Sequence, residues 1–198
     1  MREFIYFSNS ARTTGNFNSE KLMDAGRMDI AIHTLINALF LSHKIREDTK
    51  IHLLFNGPPN PPQHLEIFPE GRKSSGEITL SKKNVAGLIK KMLFRAKRDK
   101  KVIVEPGYEI EKKSIFKVLN DLIEEGKEIY ILDAKGEDIR KIKFKDNPVF
   151  VLADQDGFPH KELKKLKSLG TAISVGKLTY FASQVVTIVN NELDRQKI

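Results

Sequence analysis

The chain of 198 residues contains no cysteine. Disulfides, thiolate catalysis and cysteine-bound zinc or iron–sulfur clusters are therefore excluded. Its five histidines, at positions 33, 43, 52, 64 and 160, show neither HExxH nor any paired spacing, so no metal site is expected. No apolar run approaches the ~20 residues that a membrane span needs, and no membrane partner is expected. The N-terminal MREFIYFSNSARTTG lacks the charged-then-apolar layout of a secretory signal, which points to a soluble cytoplasmic protein. There is no GxGxxG after the first strand-like stretch and no GxxxxGK[ST], so the usual dinucleotide and P-loop readings fail. No linker or repeat divides the sequence. Residues 1–198 are expected to form one domain, long enough for a proper hydrophobic core.

What is present is charge, unevenly placed. With 40% apolar and 30% charged residues the composition is that of a globular protein. The net charge is +8, and residues 82–101, KKNVAGLIKKMLFRAKRDKK, hold nine Lys or Arg against one Asp; the rest of the chain balances at 25 against 25. Within that stretch Val85, Leu88, Ile89, Met92 and Ala96 recur at helical spacing, which puts the basic residues on the outer face of one amphipathic helix. A cationic stripe so confined fits a polyanionic partner. A merely solvated face is the alternative.

Strand-like and helix-like patterns alternate along the chain. Glu3–Phe7 reads as a first strand, followed by a polar loop through Asn18. Residues 29–43, DIAIHTLINALFLSH, read as a long helix, apolar on most sides and so expected to be buried, with Asp29 suited to its N-cap. Ile51–Phe55 is a second strand, ending at the stiff Asn56–Pro62 loop. A hairpin is expected between Glu66 and Leu80, turning at Ser74–Gly76. After the basic helix come a short strand Val102–Val104 closed by Pro106–Gly107, a helix over Ser114–Glu125 and a strand Ile129–Asp133. Strands Val149–Leu152 and Thr171–Val175 follow, then a final helix from Phe181 to Arg195 with Val185, Ile188, Val189 and Leu193 on one wide apolar face. This alternation predicts an α/β fold with a largely parallel sheet flanked by helices.

The last three strands end alike, in LDAKG (132–136), ADQDG (153–157) and SVGKL (174–178). Parallel strands bring such ends to one edge of a sheet, where open α/β folds bind their ligands. Backbone N–H and C=O groups freed there can hydrogen-bond a purine, and glycine allows close approach or positive φ. Ordinary strand-to-helix turns use glycine as well. Asp154 and Asp156 fit either the positive charge of a ligand or simple turn formation. Pro159 suits the first turn of the lysine-rich helix that follows.

The same residues carry a family resemblance. VFVLADQDGFPHKELKKL (149–166), with SLGTAISVGKLTYFASQVVTIVNNELDR (168–195), resembles the C-terminal signature of the SPOUT RNA methyltransferases. DAGRMD (24–29) and IHTLINALFLSHKIREDTKIHLLFNGPP (32–59) are similar to one branch of them, the archaeal tRNA (pseudouridine(54)-N1)-methyltransferases. The resemblance implies a SPOUT-like α/β fold whose C-terminal segment is tucked through a loop as a deep trefoil knot, a rare exception to the rule against threaded chains. It implies S-adenosyl-L-methionine as cofactor, a homodimer packed through the knot region, and a pseudouridine in the T-arm of tRNA as substrate. Leu132 and Gly157 match positions whose backbone meets the adenine or ribose. Ser174, Val175, Gly176 and Leu178 match the knotted loop, and Ser183 matches a cofactor contact from the last helix that is often cysteine in relatives.

Pseudouridine is joined to its ribose through carbon, so N1 keeps an imide-like proton that must leave as the methyl arrives. Positioning and a nearby proton acceptor are what such a transfer needs. Asp29 is the candidate base and Arg27 a candidate base or phosphate ligand, both in the family-matching GRMD; Asp29 as a mere N-cap is the competing reading. Arg12 and Arg46, with Arg27, are candidate RNA contacts, or else surface ion-pair partners. Asn37 and His43 also match family positions, and a hydrogen-bonded role in the core is the simpler reading for each. The rivals are a SPOUT methyltransferase acting on rRNA pseudouridine or another tRNA base, a non-catalytic basic RNA-binding protein, and a nucleotide-binding regulator.

Overall fold

The computed structural model describes residues 1–69 and 81–198. Among them the strands are β1 (Arg2–Ser8), β2 (Thr49–Phe55), β3 (Gln63–Ile67), β4 (Val102–Glu105), β5 (Tyr108–Glu111), β6 (Glu128–Asp138), β7 (Pro148–Ala153) and β8 (Thr171–Ser174). The helices are α1 (Met28–Leu39), α2 (Lys82–Arg95), α3 (Ile115–Glu124), α4 (His160–Lys167) and α5 (Ala182–Gln196). All eight strands form one sheet in the order β4-β5-β3-β2-β1-β7-β6-β8.

The sheet is mixed rather than largely parallel. β2-β1-β7-β6-β8 are mutually parallel, whereas β3, β5 and β4 are antiparallel additions. The reason lies in the connections. A parallel neighbour needs a long crossover, but residues 56–62 give β2 only a short proline-rich return, and Pro106–Gly107 alone joins β4 to β5. β5 escaped the sequence reading, although Tyr108 and Ile110 are buried and alternate with the half-buried Glu109 and Glu111. The expected turn at Ser74–Gly76 lies outside the described residues, and β3 pairs with β2 and β5.

Every residue of β1 is buried, as a central parallel strand covered on both faces requires. One face carries Phe4, Tyr6 and Phe150 beneath α1, α2 and α5; the other carries Ile5, Phe7 and Val151 beneath α3 and α4. Each such side chain contributes about 1.5–3 kcal/mol by leaving water. α1 ends at Leu39, earlier than its apolar pattern suggests, because Phe40 turns extended and bridges to Ile45. α2 ends at Arg95, with Ser81 accepting from the Asn84 N–H as its N-cap, and residues 97–100 close a small turn. Pro159 is the N-cap of α4 and not a residue of its first turn.

Two features fix the C-terminal segment. Arg2, buried in β1, donates to Asp194 at 2.8 Å and to Asn190 Oδ1 at 3.2 Å, so the first strand anchors α5. At the other end, Ile173 of β8 is paired with both Leu132 and Glu137 of β6. The register of β6 on β8 therefore shifts across residues 133–136, which lie close against β8: a Cβ on Gly136 would stand 2.5 Å from the Ile173 backbone.

Candidate active site

The three similar stretches do meet, although β6 does not end at Asp133 as expected but runs on to Asp138. Its residues 132–134, with the carboxyl ends of β7 and β8, enclose a cleft of about 260 Å³. Leu132, Leu152, Ala153, Leu163, Val175 and Val185 give it apolar walls, and the small residues Ala134, Gly157 and Gly176 line it beside them, the glycines with main chain. Gly157 sits at φ +69°, and no atom lies within 4 Å of where its Cβ would stand. The Ser174 hydroxyl accepts from the Gly176 N–H at 3.1 Å and donates to the Gly176 carbonyl at 3.0 Å, which holds the third loop in shape. Asp133 is clamped by Lys167 at 2.7 Å and by the Lys135 N–H at 2.8 Å. Burial alone would raise its pKa, but these contacts outweigh it and keep the carboxylate ionised.

Of the residues expected to meet a cofactor, Leu132, Gly157, Ser174, Val175, Gly176 and Leu178 all line this cleft. Ser183 does not: its neighbours Ala182 and Val185 do, while its own carbonyl accepts from Thr187 Oγ. A one-residue shift on a helix rotates a side chain by about a quarter turn.

Comparison with known proteins decides the family. A family model described as "Putative SAM-dependent RNA methyltransferase" matches residues 1–198. The chain belongs to that family. Among curated relatives, the tRNA (pseudouridine(54)-N(1))-methyltransferase of Pyrococcus abyssi is 34% identical, over 98% of each chain. That of Methanococcoides burtonii is 32% identical, over 98% of this chain and 96% of the relative. Among solved structures, Archaeoglobus fulgidus Nep1 bound to S-adenosylhomocysteine superposes with a TM-score of 0.67 at 13% identity, covering 98% of both chains, and so shares the fold.

Beside the cleft of this methyltransferase stands a charged group. Arg27 holds Asp29 through two hydrogen bonds, Nε to Oδ1 and Nη2 to Oδ2, each 3.0 Å. The N-cap of α1 is Arg27 itself, in a left-handed conformation at φ +59°. Asp29 is therefore not the cap: it lies inside the first turn, and Arg27 takes both oxygens of its side chain. An arginine at positive φ is uncommon, and such outliers gather at functional sites. Burial would raise the Asp29 pKa, but the Arg27 hydrogen bonds and charge overturn that and hold it below the ordinary range.

The other candidates separate. Arg12 is exposed on the loop after β1, with no ion-pair partner among the described residues. Arg46 is not a free surface cation. Its guanidinium is 10% exposed and grips both oxygens of Asp194, at 2.8 and 2.5 Å, so it serves the α5 anchor. Asn37 and His43 are exposed rather than buried: Asn37 accepts from Thr187, and His43 lies beyond the end of α1. On α2 the basic residues do face outward, though Lys91 pairs with Glu105 and Lys90 donates to the Phe17 carbonyl.

Two histidines that sequence spacing left apart are brought together by β2–β3 pairing. His52 Nδ1 faces His64 Nε2 at 2.9 Å, His52 Nε2 faces Glu3 at 2.9 Å, and His64 Nδ1 faces Glu111 at 3.2 Å. With Glu66 they form the group of potential metal ligands found among the described residues. The facing nitrogens are hydrogen-bonded to each other, and a 2.9 Å separation is tighter than tetrahedral zinc at ~2.0–2.1 Å from each would allow. Burial pushes His64 down to about 4. Burial works against ionisation of Glu3, but His52 and Lys127 hold it at about 2.

Proposed function

We propose that this chain transfers the methyl group of S-adenosyl-L-methionine to N1 of pseudouridine 54 in the T-arm of tRNA. The observation that carries the reading is the cleft between residues 132–134 of β6 and the ends of β7 and β8, in a chain whose full-length relatives bear the name of that activity. The residues fit the cofactor. Apolar walls suit a flat purine, the polypeptide at Ala134, Gly157 and Gly176 would hold it, and the open side of Gly157 leaves room for it. Bound there, S-adenosyl-L-methionine supplies an electrophilic methyl on a cationic sulfur.

The chain's own residues do the rest by positioning. Arg27, fixed at the start of α1, is placed for a phosphate or a uracil oxygen, and Asp29 orients it. Arg12 and the exposed face of α2 hold the RNA backbone, with the target base flipped out of its loop. The trefoil knot belongs to the proposal, supported by the register shift of β6 against β8 across residues 133–136 and the close approach of Gly136 to Ile173. So does the homodimer, supported by the apolar rim of Leu178 and Phe181, 71% and 63% exposed, beside the cleft. One domain and a cytoplasmic setting, where tRNA is met, complete the reading. No helix among the described residues is long and apolar enough to cross a membrane.

Paired T-arm stem-loops, identical except for pseudouridine or uridine at the target, test the proposal with labelled cofactor. Label is expected on the pseudouridine RNA alone. Equal labelling of both would move the target to another atom or base, and labelling of neither would remove the activity.

A further inference from the structure

Asp154 closes the carboxyl end of β7 and lines the cleft, yet it is only 7% exposed. Its Oδ1 accepts the Asp156 N–H at 3.0 Å, while its Oδ2 is buried with no hydrogen-bond partner among the described residues. On the adjoining strand β1 the Tyr6 hydroxyl is buried and equally without a partner there. Ser8 accepts the N–H groups of Ser10 and Ala11 at 3.3 and 3.0 Å, which leaves its hydroxyl proton to be shared between the neighbouring Asp154 carboxylate and Tyr6 hydroxyl, both of which it bears on through a side-chain hydrogen bond. An uncompensated carboxylate oxygen costs about 1–3 kcal/mol or more, so a fold that keeps one beside a ligand cleft has left a place for a donor. The ordinary turn reading of Asp154 accounts for Oδ1 and leaves Oδ2 with the shared Ser8 hydroxyl as its one neighbouring donor among the described residues.

Asp29 is the poorer acceptor, because both its oxygens are committed to Arg27. Resting on the methyl-transfer reading above, we propose that Asp154 is the proton acceptor for N1 of the target pseudouridine, with Asp29 a positioning residue acting through Arg27. The N1–H proton passes to Asp154 Oδ2 as the N1 electron pair forms the new N–CH₃ bond. The methyl–sulfur bond breaks with its pair retained by sulfur, leaving a neutral thioether. The charged and titratable groups facing Asp154 are Tyr6 from β1, Arg27 from the start of α1 and Asp156 from its own loop, with Asp29 reaching Tyr6 and Arg27 behind them. Burial, only partly offset by Ser8 and the Asp156 N–H, raises its proton affinity above that of an ordinary aspartate, the direction a proton acceptor needs.

The test compares Asp154→Asn with Asp29→Asn. Single-turnover methylation of the pseudouridine stem-loop is expected to fall about 100-fold or more in Asp154→Asn, with S-adenosylhomocysteine affinity within threefold of the parent. The parent rate should climb with pH through an ionisation above the ordinary carboxylate range, and Asp29→Asn should keep that climb. A readout independent of turnover is carboxyl-carbon NMR of the cofactor-free protein, where the one aspartate titrating above its ordinary range should vanish in Asp154→Asn. Turnover within threefold of the parent overturns the assignment, as does a matching loss of cofactor affinity, which would make Asp154 a cofactor ligand. If Asp154→Asn does not fold, loss of the climb in Asp29→Asn overturns it equally. Failure of the parent protein to bind S-adenosylhomocysteine would instead strike the methyl-transfer reading beneath.

Discussion

Replacing Gly157 by alanine separates the cleft from the fold, because the structure contains its own control. Gly157 and Gly126 have φ values of +69° and +78°, and neither has an atom within 4 Å of the Cβ it lacks. Gly157 lines the cleft, whereas Gly126 follows α3 away from it. Alanine at either position meets no protein atom and bears only the left-handed backbone penalty, about 1–2 kcal/mol. Urea unfolding should therefore show Gly157→Ala and Gly126→Ala destabilised alike, by about that amount. Binding should divide them. A methyl group projecting into space needed by a snug ligand costs about 1–3 kcal/mol, which is roughly 5- to 150-fold in affinity. Titration calorimetry with S-adenosylhomocysteine is expected to show that loss for Gly157→Ala and parental affinity for Gly126→Ala. Equal affinities for the two variants would mean that Gly157 does not border the bound cofactor, and the reasoning from the strand ends would fail there.

Glu3→Gln should destabilise the protein most at neutral pH. Its folded pKa, about 2, lies below the ordinary 4.5, so its contribution, on the order of 3 kcal/mol, is present above pH 4.5 and declines as pH falls toward 2. The gap between parent and variant in urea should narrow between pH 7 and pH 3, and a constant gap would contradict it. Neutralising Lys83 and Arg95 on α2 should lower the slope of log affinity for tRNA against log salt by about 1 per phosphate contact removed, with cofactor affinity untouched; an unchanged slope would make that face a solvated one. Asp29→Asn should lower turnover more than cofactor affinity, measured by steady-state kinetics beside calorimetry, because it releases Arg27. Unchanged turnover would leave the pair a structural one.

Strand ends were more legible than side-chain roles. Val149–Leu152 announces a doubly buried strand, and its abrupt end at Asp154–Gly157 places a turn where the sheet edge must be. The antiparallel half was harder, since β3 and β5 are short and half-polar and their pairing depends on connection length. Asp29 looked like a cap because aspartate before an apolar run usually is one, but Arg27 takes the left-handed position and draws the carboxylate to itself. Arg46 and Asp194 lie 148 residues apart, and no local pattern pairs them. The same holds for His52 and His64, which meet only when β2 and β3 align in register. Asp154 was visible as a turn residue, while the unpartnered Oδ2 exists only in the packed structure.

The claim beneath all of this is that three neighbouring strand ends form one cradle for the methyl donor. Backbone amide NMR of the parent protein during titration with S-adenosylhomocysteine tests it most directly. The largest shifts are expected at Ala134, Gly157, Val175 and Gly176 together, saturating at one ligand per chain. Shifts that gather on α2 instead, or that are absent at concentrations well above those of ordinary cofactor binding, would contradict it.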